Sequence, residues 1–394
     1  MNRTVLGAVG ALVAVAAVAV ALVVTDDPGR QQPGPTVAPA PRPVPVLLDE
    51  EPEWSRLGAL AAPEHLSVRD GTVLMYRPGE LSLVDLRTGE PRWTVRTGAA
   101  LPGGPATTGT TGTTGTYDGG GLLVGDGVLV RYRAGPRTGI ARLAAADGSV
   151  AWRRELAGPL DLVTADDRRA LVMVGGARVV ALDVGRGGPL WERTGLWPYA
   201  IAGDVVVGET VRGVRRTGPP TEGTVAAWNL ATGAPAWTLA DLAPARVTLT
   251  AGDVVLVDGF RTGRPERGRW VVDARTGRRV HEVGAAPVED SCATDGRTLV
   301  ACAVVEDSGA LDIETFRVAG RRVETLRGDY RSQAVRLVGP DHLVAGDSRH
   351  FVALDRRGRV VARNLPYPPA AITGEYLLSS VGDPPLIAAY RFQK

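Results

Sequence analysis

One nine-residue frame, Asp-x-x-Thr-Gly-x-x-x-Trp, recurs along the chain and limits its fold more than any other feature. It is complete at Asp85, Thr88, Gly89 and Trp93. It returns with Asp183, Gly187 and Trp191, with Asn229, Thr232, Gly233 and Trp237, and with Asp273, Thr276 and Gly277, where His281 takes the tryptophan place. Weaker copies stand at Asp147, Gly148 and Trp152, around Gly320, and from Asp355 to Gly358. An acidic or amide side chain that accepts nearby backbone N–H groups, followed by a glycine free to adopt positive φ, is the chemistry of a tight turn. Each copy therefore predicts a turn entering a strand that carries the aromatic residue.

Two apolar runs joined by a short Gly or Asp turn precede each copy, as in the stretch from Val247 through Gly252 and Asp253 to Val257. That pattern predicts a β-hairpin. Such hairpins begin near Leu66, Leu122, Leu160, Tyr199, Val247, Ser291, Val335 and Ile372, at a mean spacing of about 44 residues, the length of a four-stranded propeller blade. Valine- and leucine-rich runs without sustained 3.6-residue periodicity agree with β structure throughout. The eighth unit ends on a third strand, from Leu386 to Phe392. Glu51, Pro52, Glu53 and Trp54 repeat the pattern of Glu90, Pro91, Arg92 and Trp93 without three strands of their own. Residues 51–58 are therefore expected to supply the missing fourth strand and close the ring, which removes open sheet edges. The predicted fold is all-β, an eight-bladed propeller of four-stranded antiparallel blades over residues 48–394.

The run Ala181, Leu182, Asp183, Gly187, Trp191 resembles the quinoprotein-type repeat, named for pyrroloquinoline quinone (PQQ). It is shared by quinoprotein alcohol dehydrogenases and by envelope assembly proteins of the BamB type, and the resemblance covers roughly residues 50–394. It implies that Trp54, Trp93, Trp152, Trp191 and Trp237 pack between neighbouring blades rather than form a ligand box. It also implies that a quinone enzyme would carry adjacent cysteines, calcium-binding carboxylate and amide groups and inserted segments. Cys292 and Cys302 are not adjacent and the chain offers no such insert, so no cofactor is expected. With four histidines at unrelated repeat positions, no metal site is expected either.

Residues 5–24 are twenty consecutive apolar or glycine positions, long enough to cross a hydrocarbon core of about 30 Å. Arg3 precedes them and Asp26 and Asp27 follow, a charge bias that holds the amino end in the cytoplasm and sends the rest of the chain outside. Residues 1–25 are expected to form the cytoplasmic tip and transmembrane anchor, the alternative being a cleaved signal peptide. Seven prolines between Pro28 and Pro45 make residues 26–47 a linker without apolar periodicity. Outside the cytoplasm a disulfide is permitted, and Cys292 and Cys302 flank the turn at Asp295 and Gly296. Simple pairing about that turn does not set them opposite one another, so a bonded pair requires a bulge or a shifted register. Two buried free thiols are the alternative.

Net charge is +2, which gives no reason to expect nucleic acid. Lys394 is the only lysine, so the arginines reflect a coding bias before any function. Long connections are expected at residues 103–121, 132–139, 209–222 and 260–268, and up-and-down blades place all of them on one face. Arg212, Arg215, Arg216, Arg264, Trp197 and Tyr199 lie there, with Arg133, Arg137, Arg261, Arg267, Tyr330 and Tyr367. Arginine with aromatics is the composition of binding hot spots. The expected function is a membrane-anchored, extracytoplasmic binding or scaffold module for a cell-envelope protein or anionic polymer, without catalytic residues. The alternative is an extracytoplasmic propeller enzyme, a lyase, a hydrolase or a quinone-dependent dehydrogenase relative.

Overall fold

The structure, a computed structural model, describes residues 48–393 except 50, 62–63, 97, 100–115, 211–223, 263–266, 286–290, 307–310, 328–333, 348–349, 367 and 383. The expected anchor and linker, residues 1–25 and 26–47, lie outside the described residues. Among those described, no helix is long and apolar enough to cross a membrane.

Turn chemistry sets the repeat. Asp85 Oδ1 accepts the N–H groups of Arg87 and Thr88 at 3.0 and 3.2 Å, and Asn229 Oδ1 does the same for Ala231 and Thr232. Gly89 and Gly233 then turn the chain at φ 70° and 69°. Each turn joins the third strand of a blade to its fourth. Among the described residues the chain forms eight antiparallel sheets: blades 2 to 7 are meanders of four strands in series, blade 1 has an inner strand in two pieces, and blade 8 takes its fourth strand from the start of the propeller. Blade 3 is typical, with strands Leu160–Ala165, Arg169–Val174, Arg178–Asp183 and Pro189–Thr194. Its second strand is almost wholly buried while its fourth is exposed except at Trp191, because the middle of a blade is covered on both faces by its neighbours. The first strands of blades 2 to 8 touch one another in order around the centre.

Ring closure follows the sequence expectation of eight blades. Trp54–Leu57 pairs with Leu386–Arg391 of blade 8, Trp54 opposite Ala389 and Leu57 opposite Leu386, and an isolated bridge joins Leu48 to Phe392. Blade 1 departs from the simple hairpin expected near Leu66. Its inner strand is split into Ala59–Leu60 and Val68–Arg69, both pairing with Thr72–Arg77, and the helical turn Glu64–Ser67 lies between them. That turn touches the inner strands of blades 2 and 8 and completes the inner ring.

The five tryptophans of the frame occupy one kind of place. Each indole Nε1 donates to a backbone carbonyl of the next blade: Trp54 to Leu86 at 2.7 Å, Trp93 to Ala145 at 3.2 Å, Trp152 to Val184 at 2.7 Å, Trp191 to Leu230 at 2.8 Å and Trp237 to Ala274 at 2.7 Å. Each ring also lies on the glycine of the next blade's frame. A Cβ on Gly187 would fall 2.5 Å from Trp152, and one on Gly89 2.6 Å from Trp54. A bulge directly before the aromatic residue sets its direction: pairing runs from Ala181–Trp191 to Leu182–Pro189, leaving Leu190 unpaired, and Arg92, Ala151 and Ala236 hold the same position.

Candidate functional site

Connections between second and third strands, and between successive blades, share one face of the ring. Two of the expected long loops, 103–121 and 209–222, are outside the described residues for most of their length, and Arg212, Arg215 and Arg216 lie with the second; Arg264, Tyr330 and Tyr367 are outside the described residues as well. A third is corrected. Residues 132–139 are no long loop, because the strands of blade 2 run on to Ala134 and restart at Arg137, leaving only Gly135 and Pro136 between them.

Trp197 and Tyr199 stand on the inner strand of blade 4, Leu196–Ala202. Pairing passes from Pro198–Gly208 to Ala200–Val207, so Tyr199 is the extra residue of a bulge. Its hydroxyl donates to Glu209 Oε1 at 2.9 Å, and Glu209 is 1% exposed. Burial, then the Glu209 charge, push the Tyr199 phenol well above its ordinary value. Trp197 packs partly buried against the cluster containing Leu171, Met173 and Trp228. Neither aromatic is a free handle in the loops.

The described arginines of this face are mostly engaged within their own blade. Arg137 pairs with Glu155 at 2.8 Å and Arg261 with Glu282 at 2.7 Å, while Arg279 pairs with Asp241. Arg261 and Arg279 both lie over the buried Trp270 ring, 5.3 and 5.5 Å from its centre. The strongest constellation is one the sequence reading missed. Arg269, 8% exposed, donates from Nε and Nη2 to the carboxylate of Asp258, itself 2% exposed, at 2.6 and 2.9 Å. Its remaining nitrogen, Nη1, reaches blade 6 and donates to Ser291 Oγ at 2.8 Å and Cys292 Sγ at 3.0 Å. Asp258 and Arg269 sit directly opposite on adjacent strands, and the signal available in the sequence was Asp258 at the end of the apolar run Val254–Val257.

Cys292 and Cys302 are bonded. The expected bulge or shifted register is corrected: Cys292–Cys302, Ala293–Ala301 and Thr294–Val300 pair without a shift. A wider turn supplies the offset, with Asp295 Oδ1 accepting the N–H groups of Arg297, Thr298 and Leu299 at 2.9, 2.7 and 3.0 Å. Blades 3, 4, 5, 7 and 8 instead carry a bulge in the inner strand, at Val163, Tyr199, Thr248, Arg336 and Ala370. Blade 6 moves its extra residue into the turn and leaves Cys292 squarely opposite a partner. This bond spans two strands and is not the adjacent-cysteine arrangement implied for quinone enzymes. Among the described residues no three His, Cys, Asp or Glu groups are placed to hold a metal ion. On the opposite face, an open cleft of about 420 Å³ lies between blades 8 and 1, lined by Asp85, Arg87, Arg92, Glu375 and Tyr376 among others.

Eight four-stranded blades, five of whose seams interlock tryptophan on glycine, define a propeller of the quinoprotein-like class. A family model described as outer membrane protein assembly factor BamB matches residues 77–211 and 136–324, which together span more than half of the chain. The chain belongs to this family of PQQ-like propellers. Among solved structures, the computationally designed Ika8 protein is similar at 13% identity over 87% of this chain and 99% of its own, with a TM-score of 0.52, a likeness of fold alone. BamB from Moraxella catarrhalis aligns over 89% of this chain and 96% of its own, at 14% identity and a TM-score of 0.39. Quinohemoprotein alcohol dehydrogenase from Comamonas testosteroni aligns over 86% and 76%, at 12% identity and a TM-score of 0.46. No curated protein matches the sequence.

Proposed function

We propose that the chain is a membrane-anchored binding scaffold, held by residues 5–24 with its amino end in the cytoplasm and carrying its propeller outside on the residue 26–47 linker. Its partner is a cell-envelope protein or polymer of anionic character. The observation that carries this reading is the commitment of the polar groups on the loop face. Tyr199 is bound to Glu209, Arg269 to Asp258 and Ser291, Arg261 to Glu282 and Arg137 to Glu155. Groups tied to one another across strands hold the face rigid and offer shape and charge rather than proton transfer. Membership of the BamB-type family supports a protein-binding role, and the Cys292–Cys302 bond supports an oxidising compartment.

On this reading Arg212, Arg215, Arg216 and Arg264 supply the cationic recognition. Changing Arg212, Arg215 and Arg216 together to Ser should leave the near-ultraviolet circular dichroism unchanged and weaken retention on immobilised poly-glutamate. The difference should shrink as salt rises past a Debye length of about 8 Å. Equal retention of both proteins at low salt would remove the assignment.

A further inference from the structure

We propose that the cysteine pair is a thiol–disulfide exchange site in which Cys292 is the entry thiol and Cys302 the resolving thiol, with a small-molecule disulfide as oxidant. This inference does not depend on the binding role proposed above. It rests on an asymmetry between two sulfurs that share one bond.

Cys292 lies on the innermost strand of blade 6 and is partly exposed, whereas Cys302 lies on the second strand, 2% exposed, in the cluster with Leu256, Val300 and Phe316. Arg269 Nη1 donates to Cys292 Sγ at 3.0 Å. Its guanidinium is already fixed by two bonds to Asp258 and one to Ser291, so the donor needs no reorganisation to meet a developing negative charge on that sulfur. A charged donor favours the thiolate, which is the reactive form, while an apolar surround disfavours it. Cys292 is therefore the more accessible sulfur and the one that a fixed, charged donor faces.

The chemistry balances in two displacements. The Cys292 thiolate attacks one sulfur of the small disulfide, that S–S bond breaks, and one small thiolate leaves and takes a proton from water. Cys302 stands directly opposite in the pairing and is already in place for the second step. It releases its proton to solvent and attacks Cys292 Sγ, expelling the second small thiolate. Two electrons pass from the protein to the small disulfide, giving one protein disulfide and two small thiols.

The test uses full-length Cys302→Ala and Cys292→Ala proteins, folded and incubated with glutathione disulfide, with the added mass of one glutathione followed in time. Cys302→Ala should be captured at least about ten-fold faster than Cys292→Ala, and its rate against pH should rise at lower pH than for the same protein unfolded. Adding Arg269→Lys keeps a cation beside Asp258 but withdraws the second arm, and should move that pH profile upward. Equal rates for the two single variants, or faster capture by Cys292→Ala, would overturn the entry-thiol assignment. If the double variant does not fold, the comparison of single variants and of folded with unfolded profiles still decides the matter: coincident folded and unfolded profiles for Cys302→Ala would overturn the part given to Arg269.

Discussion

Gly187 carries two constraints that no other residue type meets together. Its φ is 69°, and a Cβ there would lie 2.5 Å from the Trp152 ring. Gly71 has almost the same φ, 71°, with nothing within 4 Å of an added Cβ. Gly71→Ala should cost only the left-handed backbone penalty, about 1–2 kcal/mol. Gly187→Ala should add the overlap with the indole, about 1–3 kcal/mol more. Urea unfolding of the two variants measures the difference, and equal midpoints would mean that the indole–glycine contact contributes nothing. The repeat made the turn role of this glycine legible, but its second role depends on the blade before it and no single copy displays that. A different residue-scale effect belongs to His342, which stacks on Phe392 with ring centres 4.4 Å apart. Burial holds its imidazole below the ordinary value, against the opposing charges of Asp341 and Asp355 and with that of Arg356. The unfolded chain takes up a proton as pH falls through about 6.5 while the folded one lags, so this group's stability is present above about 6.5 and is lost on acidification below it. His342→Phe keeps a stacked ring without the titration. Its Tm should fall less than that of the parent between pH of about 7.5 and about 5.5. Parallel losses in the two proteins would show that the imidazole is not a source of acid sensitivity.

Strands in this molecule take their direction from irregularities as much as from regular pairing. The bulge before Trp93, Trp152, Trp191 and Trp237 aims each ring at the next blade, and the inner-strand bulges decide which residues lack an opposite partner. The closing strand Trp54–Leu57 has only four residues and relies on specific contacts. Trp54 bonds Leu86 O, Arg56 bonds Gly89 O at 3.4 Å, and Glu53 accepts the Tyr376 hydroxyl at 2.9 Å. Trp54→Ala should lower the unfolding free energy by about 2–4 kcal/mol, somewhat less than for a wholly buried indole. Ser55→Ala, on the exposed side of the same strand, should change it by about 0.5 kcal/mol or less. If denaturant titrations show no such contrast, the strand closes the ring through backbone pairing alone. The closing strand was legible because Glu53 and Trp54 repeat a pattern seen elsewhere with its three partner strands. The split inner strand of blade 1 was not, since a four-residue helical turn leaves no periodicity to detect. Nor was the Cys292 register, which depends on a wider turn held by three hydrogen bonds to Asp295.

Around the ring the seams between blades differ in kind, and the differences follow the strength of the sequence frame. From the blade 8 to blade 1 seam through that between blades 4 and 5, an indole lies on a glycine and donates to a carbonyl. Between blades 5 and 6 His281 takes the tryptophan place, bonding Glu314 at 2.7 Å and stacking on Phe316, and Arg321 bridges Asp253 and Asp273 at 2.9 and 2.6 Å. Between blades 6 and 7 Leu326 stands against Gly358. Large apolar rings bury more area and hold without regard to ionic strength, whereas partly exposed ion pairs contribute about 0–1 kcal/mol each and weaken with salt. The Cys292–Cys302 bond falls in blade 6, beside the first seam without an indole, and restrains the strands that this seam holds least firmly. Local opening should therefore begin there. In hydrogen exchange, strand amides of blades 6 and 7 should exchange before those of blades 2 to 4, with the gap widening at high salt and again after reduction. Uniform protection around the ring, unaltered by salt or reductant, would mean that the polar seams hold as firmly as the aromatic ones and that the indole–glycine frame is not what sets stability.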